Sequence, residues 1–197
     1  IQDGASEVNH QLNHNLKVLK SRINILTDQV KNLSKGIKPY HEKLIDLKHE
    51  IESQLMRMYG KPIKVQILAD ILEIKNDHWK RVIEAYLHTQ KFYLFIEPMY
   101  FVAALKIYDQ LKFKKNFYDW GIVDTGKLET IQPKMKPGSL AEEIETENQY
   151  ARLFVNHVLG NLMKCEKVED LRKYERSITA GCMLYQNFVA RQFNPSR

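Results

Sequence analysis

Several groups of residues have types and spacing that could do chemistry. Gly121-Ile122-Val123-Asp124-Thr125-Gly126-Lys127-Leu128 matches a phosphate-binding P-loop through seven positions. The eighth, Leu128, has no hydroxyl for magnesium. Pro133 follows too soon for the long helix whose N-terminus would hold phosphate. The run reads as a decoy; the rival, a small ATP-binding enzyme, would depend on Lys127. The carboxylates Glu142, Glu143, Glu145 and Glu147 suggest a metal, but Ser139 and Glu142 fit a capping box at a helix start. His10 and His14 stand four apart, as half of a zinc site would, yet no further ligands accompany them, so they read as surface histidines. His78 beside Trp79, and His157, read as packing or capping groups. Cys165 and Cys182 lie in mostly apolar surroundings with no identifiable base and orienting group, so no nucleophile triad is supported. Two cysteines make no disulfide framework and agree with a reducing compartment. No catalytic residue, metal or cofactor is expected.

The basic residues carry more signal. Lys112, Lys114 and Lys115 alternate with Phe113 and precede Phe117, Tyr118 and Trp120; Lys134 and Lys136 follow, and Arg191 lies near the end. Cations interleaved with aromatics suit phosphate contact and base stacking. Equally, lysines on a strand edge block unwanted pairing. A net charge of +6 tolerates polyanions without demanding them. No run of 18 apolar residues is present, so no membrane span is expected, and no signal peptide is visible.

The elements that would position these residues divide the chain. Residues 1–58 contain neither Trp nor Phe, and Leu16, Leu19, Ile23, Leu26, Val30, Leu33, Ile37, Tyr40, Leu44, Leu47 and Ile51 follow steps of three and four. That spacing keeps one seam toward a partner helix, the condition for a coiled coil. A continuous helix over this span would be about 54 Å long, an arm rather than a surface helix. Gly36 and Pro39 interrupt it. Either a kink joins two helices sharing one seam, or a loop joins two antiparallel helices.

Residues 59–197 read as mixed α/β. Strands are expected at 63–68, 92–96, 117–123, 162–165, 177–179 and 183–190. Helices are expected at 79–87, 98–111 and 168–174, with a helix-rich stretch at 139–159. The helix at 98–111 would bury Phe101, Val102, Leu105 and Tyr108. The expected division is an arm at 1–58 with its joint near 36–39, one half at 59–126, a polar connector at 127–137, and a second half with the chain exit at 138–197. The halves repeat: Leu68-Ala69-Asp70-Ile71-Leu72-Glu73 matches Leu140-Ala141-Glu142-Glu143-Ile144-Glu145, and Val82-Ile83 with Tyr86-Leu87 matches Phe154-Val155 with Val158-Leu159.

An arm followed by two related halves resembles the hinge domain of SMC-like chromosome-organising ATPases. Ile67–Ile74 with Trp79 and Ile83–Leu87 resembles that family's opening strand and helix. Gly138–Ile144 through Asn161 resembles the second opening, and Ile178–Tyr185 the closing strand. Lys35–Tyr40, Phe92–Pro98 and Gly138–Asn148 are similar to the MukB-like Wadjet plasmid-defence branch, the JetC type. One departure stands out: the glycine-rich stretch that follows the closing strand in ordinary hinges is missing, since 184–193 contain no glycine.

The resemblance implies an α+β hinge of two pseudo-repeated halves behind a coiled-coil segment, not itself an enzyme, with ATPase heads elsewhere in the parent. It implies a homodimer in which strand edges near 117–123 and 183–190 meet. Phe117, Tyr118, Trp120, Ile122, Met183, Tyr185 and Phe188 are the expected dimer contacts. It further implies kleisin-type and accessory subunits, a nucleoid-associated cytoplasmic location and no membrane. The rival is a DNA-binding module acting through Lys112, Lys114, Lys115, Lys134, Lys136 and Arg191 without obligate dimerisation.

Overall fold

The computed structural model describes residues 41–115, 117 and 120–194, together with 11, 12, 15, 16, 18–20, 22 and 23. The chain forms two units, 1–41 and 42–197. In the first, the described residues between 11 and 23 are helical, and the seam residues Leu16, Leu19 and Ile23 are all half or more exposed. The expected joint at 36–39 lies outside the described residues.

The second unit begins with helix α1 (Glu42–Tyr59), which buries Leu44, Leu47, Ile51 and Leu55. These continue the seam, but here they face helix α3 (Phe101–Lys115) of the same unit. Gly60 closes α1 at φ +70, the left-handed conformation that glycine adopts without a Cβ penalty, and its N–H returns to the Met56 carbonyl at 2.9 Å. Glu52 holds Lys48 at 2.9 Å and accepts the Val65 N–H at 3.0 Å, tying the exit of α1 to the helix itself.

Each half then builds a similar series of elements. In the first, β1 (Gln66–Ile67) leads into a 3-10 turn at Leu68–Asp70, then β2 (Glu73–Ile74), α2 (Asp77–Leu87), a 3-10 turn at His88–Phe92 and β3 (Leu94–Phe95). A short 3-10 turn at Pro98–Tyr100 opens α3, and α4 (Thr125–Ile131) follows. In the second, Ser139 bridges to β5 (Met163–Cys165). Between them lie a 3-10 turn at Leu140–Glu143, β4 (Ile144–Glu145) and α5 (Gln149–Leu159). α2 and α5 both start on an asparagine cap. Asn76 accepts from the His78 N–H, and Asn148 accepts from the N–H groups of Tyr150 and Ala151. β2 and β4 pair antiparallel, Glu73 opposite Glu145 and Ile74 opposite Ile144, so the repeated segments meet each other directly.

The outer strands repeat as well. β1 pairs antiparallel with β3, and Ile122 bridges β3 in parallel. Ser139 bridges β5 antiparallel, and β5 pairs in parallel with β6 (Arg176–Thr179). The second half then continues into β7 (Met183–Gln186) and β8 (Val189–Gln192), giving the order β5-β6-β7-β8. A 3-10 turn at Val168–Lys173 occupies the place that α3 fills in the first half.

The core crosses between the halves. Trp79, Val82, Ile83 and Leu87 of α2 pack with Leu140, Ile144, Leu162, Ile178 and Leu184 of the second half. Ala151 and Phe154 of α5 pack with Leu68, Phe95 and Val123 of the first and with Leu128 of α4. Each half therefore buries the other's helix.

Several expectations are corrected. The helix expected at 98–111 runs on to Lys115 and buries Ala104, Ile107 and Leu111, leaving Val102 and Leu105 exposed. It is apolar on both sides, so periodicity alone could not choose its inner face. Of the strand expected over 117–123, the described residues form a bridge at Ile122 and no ladder. The polar connector starts as helix α4, and the strand expected over 183–190 is a hairpin.

Candidate dimerisation surface

The P-loop-like run folds as the cap of α4. Asp124 accepts the Lys127 N–H at 2.9 Å, placing a carboxylate where a phosphate would have to sit. Thr125 is buried and its hydroxyl donates to the Ile96 carbonyl at 2.7 Å, while Leu128 is buried in the core. The carboxylate cluster is drawn toward a lysine. Lys164 lies 3.3 Å from Glu142 and bonds Glu143. The capping box forms in altered shape: Glu142 accepts from the Gly138 N–H at 2.9 Å, while the Ser139 hydroxyl is buried without a partner. Glu142 is held below the usual glutamate range, first by that N–H, with burial opposing and Lys164 assisting. His78 lies 3.4 Å from Glu166 and edge-on to Trp79. Both cysteines are buried, and burial pushes both thiols up, so they remain protonated rather than nucleophilic. Among the described residues no cluster of three or more His, Cys, Asp or Glu is placed to hold a metal, and no helix is long and apolar enough to cross a membrane.

The expected dimer residues fall into two groups on separate sheets. Phe117 is 2% exposed, so its ring belongs to the core and offers no surface. It packs on the half-buried Trp120, and the Tyr108 hydroxyl donates to both backbone carbonyls, at 3.2 and 2.6 Å. Ile122 is half-buried at the edge of the first sheet. There the Leu94 N–H donates to Gly121 and the Leu94 carbonyl accepts from Val123, so the N–H and carbonyl of Ile122 point away from β3. Tyr118 lies outside the described residues.

The second group lies on the β7–β8 hairpin. Met183 and Tyr185 are half-buried on one face of β7, opposite Gln192 and Ala190. Phe188, at the tip, is 95% exposed. Asn187 and Phe188 have φ of +53 and +63, as a type I′ hairpin turn requires. Asparagine tolerates that conformation; a phenylalanine there is strained by roughly 1–2 kcal/mol. All four residues of β8 are exposed, and no strand pairs with its outer edge among the described residues. The Phe193 N–H donates to Cys182, so by alternation the N–H groups of Ala190 and Gln192 face outward from that edge.

The basic residues are spread over separate elements. Lys112 is on the last turns of α3, ion-paired with Asp109, and not on a strand edge. Lys114 and Lys115 belong to the same helix, and their side chains lie outside the described residues. Lys134 and Lys136 are exposed in the connector, which is strapped to α5 by Lys136 N–H donating to Gly160 and Asn156 donating to Pro133. Arg191 is on β8, in the other half. The sequence offered a strand edge near 183–190 but not the turn that folds it into β7 and β8, because that turn carries Asn-Phe in place of a glycine signal.

No protein-family model matches this chain, and no curated protein matches it. Solved structures do. The SMC protein hinge domain of Pyrococcus furiosus superposes with a TM-score of 0.53 at 20% identity, over 78% of this chain and 88% of that one. The Pyrococcus furiosus Smc hinge domain with an extended coiled coil gives 0.51 at 20% identity, over 91% and 68%. The asymmetric dimer of the Geobacillus stearothermophilus SMC hinge domain gives 0.54 at 13% identity, over 94% and 77%. The fold is that of an SMC hinge domain.

Proposed function

We propose that this chain is the dimerising hinge module of an SMC-like, DNA-organising ATPase, and that two copies meet through the open edge of β8. The observation that carries this is the hairpin. A sheet ends on an exposed strand whose outer edge has no partner among the described residues, and the tip of its hairpin presents Phe188 almost wholly to solvent, in a strained conformation. Open strand edges are pairing templates, and an exposed aromatic beside one is an anchor in want of a pocket.

The internal repeat supplies the other side of the contact. Among the described residues the first sheet stops at Ile122, where the second continues into β7 and β8. A second copy's β8 would occupy that position, and two-fold symmetry would form the contact twice. This arrangement puts Trp120 and Ile122 of one copy against Met183, Tyr185 and Phe188 of the other, with Phe117 supporting Trp120 from the core. The test is sedimentation of the full chain across concentration. A chain that stays monomeric at high concentration would sink the proposal.

The same reading takes residues 1–58 as arm leading to distant heads, 59–126 and 138–197 as hinge halves, and 127–137 as connector. It extends to the Wadjet plasmid-defence branch with loop-extruding action, kleisin-type and accessory partners and a nucleoid-associated location. Its support there is the resemblance at Lys35–Tyr40, Phe92–Pro98 and Gly138–Asn148. A second reading, DNA contact without obligate dimerisation, draws on the exposed Lys134 and Lys136 in the connector. It expects salt-sensitive DNA binding that K134E with K136E abolishes, and unchanged binding in that variant removes it.

A further inference from the structure

We infer that the cleft where the C-terminal ends of α2 and α5 overhang the second sheet is a binding site for a small phosphate monoester of nucleoside size. Arg176 lies opposite Gln186, and Arg191 lies opposite Leu184, so both arginines rise from the same face of the sheet. Both line the cleft with His88 and His157, and no aspartate or glutamate is among its lining residues. Arg176 donates to the Tyr86 hydroxyl at 2.7 Å, which orients the guanidinium, and among the described residues its other donors have no partner. Among the described residues neither arginine has a carboxylate partner.

Two helix C-termini bring about half a negative charge each. Two guanidinium charges outweigh them, so the cleft keeps a positive balance. The helix ends also leave one feature unaccounted for: the amide oxygen of Gln90, which lines the same cleft, is buried with no hydrogen-bond partner. Buried acceptors of this kind call for a donor. The fitting ligand therefore carries an oxyanion at one end and an N–H or O–H group at the other.

A phosphate monoester bears roughly −1.5 to −2 charge at neutral pH and matches two guanidiniums. A phosphodiester in a nucleic-acid strand bears a single charge per phosphate. The volume, about 820 Å³, lies in the range of small-ligand sites.

The site lies on the face of the sheet, whereas the proposed dimer contact uses its edge, so the two readings fail separately. The test is calorimetric titration of the full chain with AMP, adenosine, inorganic phosphate and a short oligothymidine, alongside nitrogen shifts of the arginine side chains. Expected are saturable AMP binding, at least roughly tenfold weaker binding of adenosine and phosphate, and a similar loss in R191Q and R176Q. Shifts should appear at both arginine Nε atoms. R176Q also loses the Tyr86 bond, so R191Q, on an exposed strand, decides if R176Q misfolds. K127A and A190P should leave AMP binding intact. Absence of saturable AMP binding up to about 10 mM, equal AMP affinity in R191Q, or binding confined to the oligothymidine overturns the inference.

Discussion

Replacing Phe188 with glycine separates folding from association. In the single chain the ring is 95% exposed, so its removal deletes almost no packing. The residue sits at φ +63, which glycine adopts freely, so strain of about 1–2 kcal/mol is relieved. Against that stands the greater freedom of glycine in the unfolded chain, about 0.5–1 kcal/mol. The net change in the stability of the single chain is near zero or slightly favourable. In the dimer the balance reverses. Burying a phenylalanine side chain contributes about 2 kcal/mol, and a two-fold contact contains two of them, so F188G should weaken association by about 4 kcal/mol. At about 1.4 kcal/mol per decade this is a nearly thousandfold rise in the dimer dissociation constant. Sedimentation equilibrium across concentration, paired with urea denaturation at a concentration where the chain is monomeric, reads both quantities. Unchanged self-association in F188G would refute the anchoring role. Destabilisation of the single chain by more than about 1 kcal/mol would refute the account of the turn.

Three further outcomes follow from local geometry. G160A should cost roughly 2–3 kcal/mol by denaturation, because a Cβ there would lie 2.2 Å from the Asn156 carbonyl oxygen and 2.9 Å from that of Lys134 in the strapped connector; a neutral substitution would show that the strap is loose. T125V should cost roughly 1–3 kcal/mol, since it strips the buried Ile96 carbonyl of its donor, and an isosteric change without penalty would contradict that bond. Glu142 is depressed in the folded chain, so its contribution is present at neutral pH and lost as pH falls through the ordinary glutamate range toward its folded value. The stability gap between the unmodified chain and E142Q should therefore be small, because the side chain is about a third exposed, and should close on acidification. A gap that widened in acid would reverse the sign of this argument.

The parts of the fold legible in the sequence are those where one periodicity dominates. α2 declared itself through Trp79, Val82, Ile83, Tyr86 and Leu87 on one face, of which all but the half-buried Tyr86 are buried. The repeat offset carried Leu68-Ala69 onto Leu140-Ala141, and both pairs enter 3-10 turns followed by capped helices. What escaped notice lacked a dominant pattern. α3 is apolar on opposite sides, with Ala104 and Ile107 inward and Val102 outward. β2 and β4 are two residues long, too short for alternation to register. The β7–β8 turn was hidden because Phe188 stands where glycine would have announced it. Of the residues expected at a surface, Phe188 and Arg191 are exposed, but Phe117 turns inward through contacts with α3 and Trp120 that no local pattern encodes.

The exchange of helices between the halves has a mechanical consequence. α2 is covalently part of the first half but lies in the core of the second, and Phe154 of α5 is its counterpart in the opposite direction. A load entering through α1 cannot peel one half from the other one contact at a time, because parting them pulls a helix out of each core at once. Many contacts would then be loaded in parallel, the geometry of a clasp rather than a zipper. Such a unit should yield to force in a single abrupt step, and a cut in the connector between the halves should leave the clasp closed.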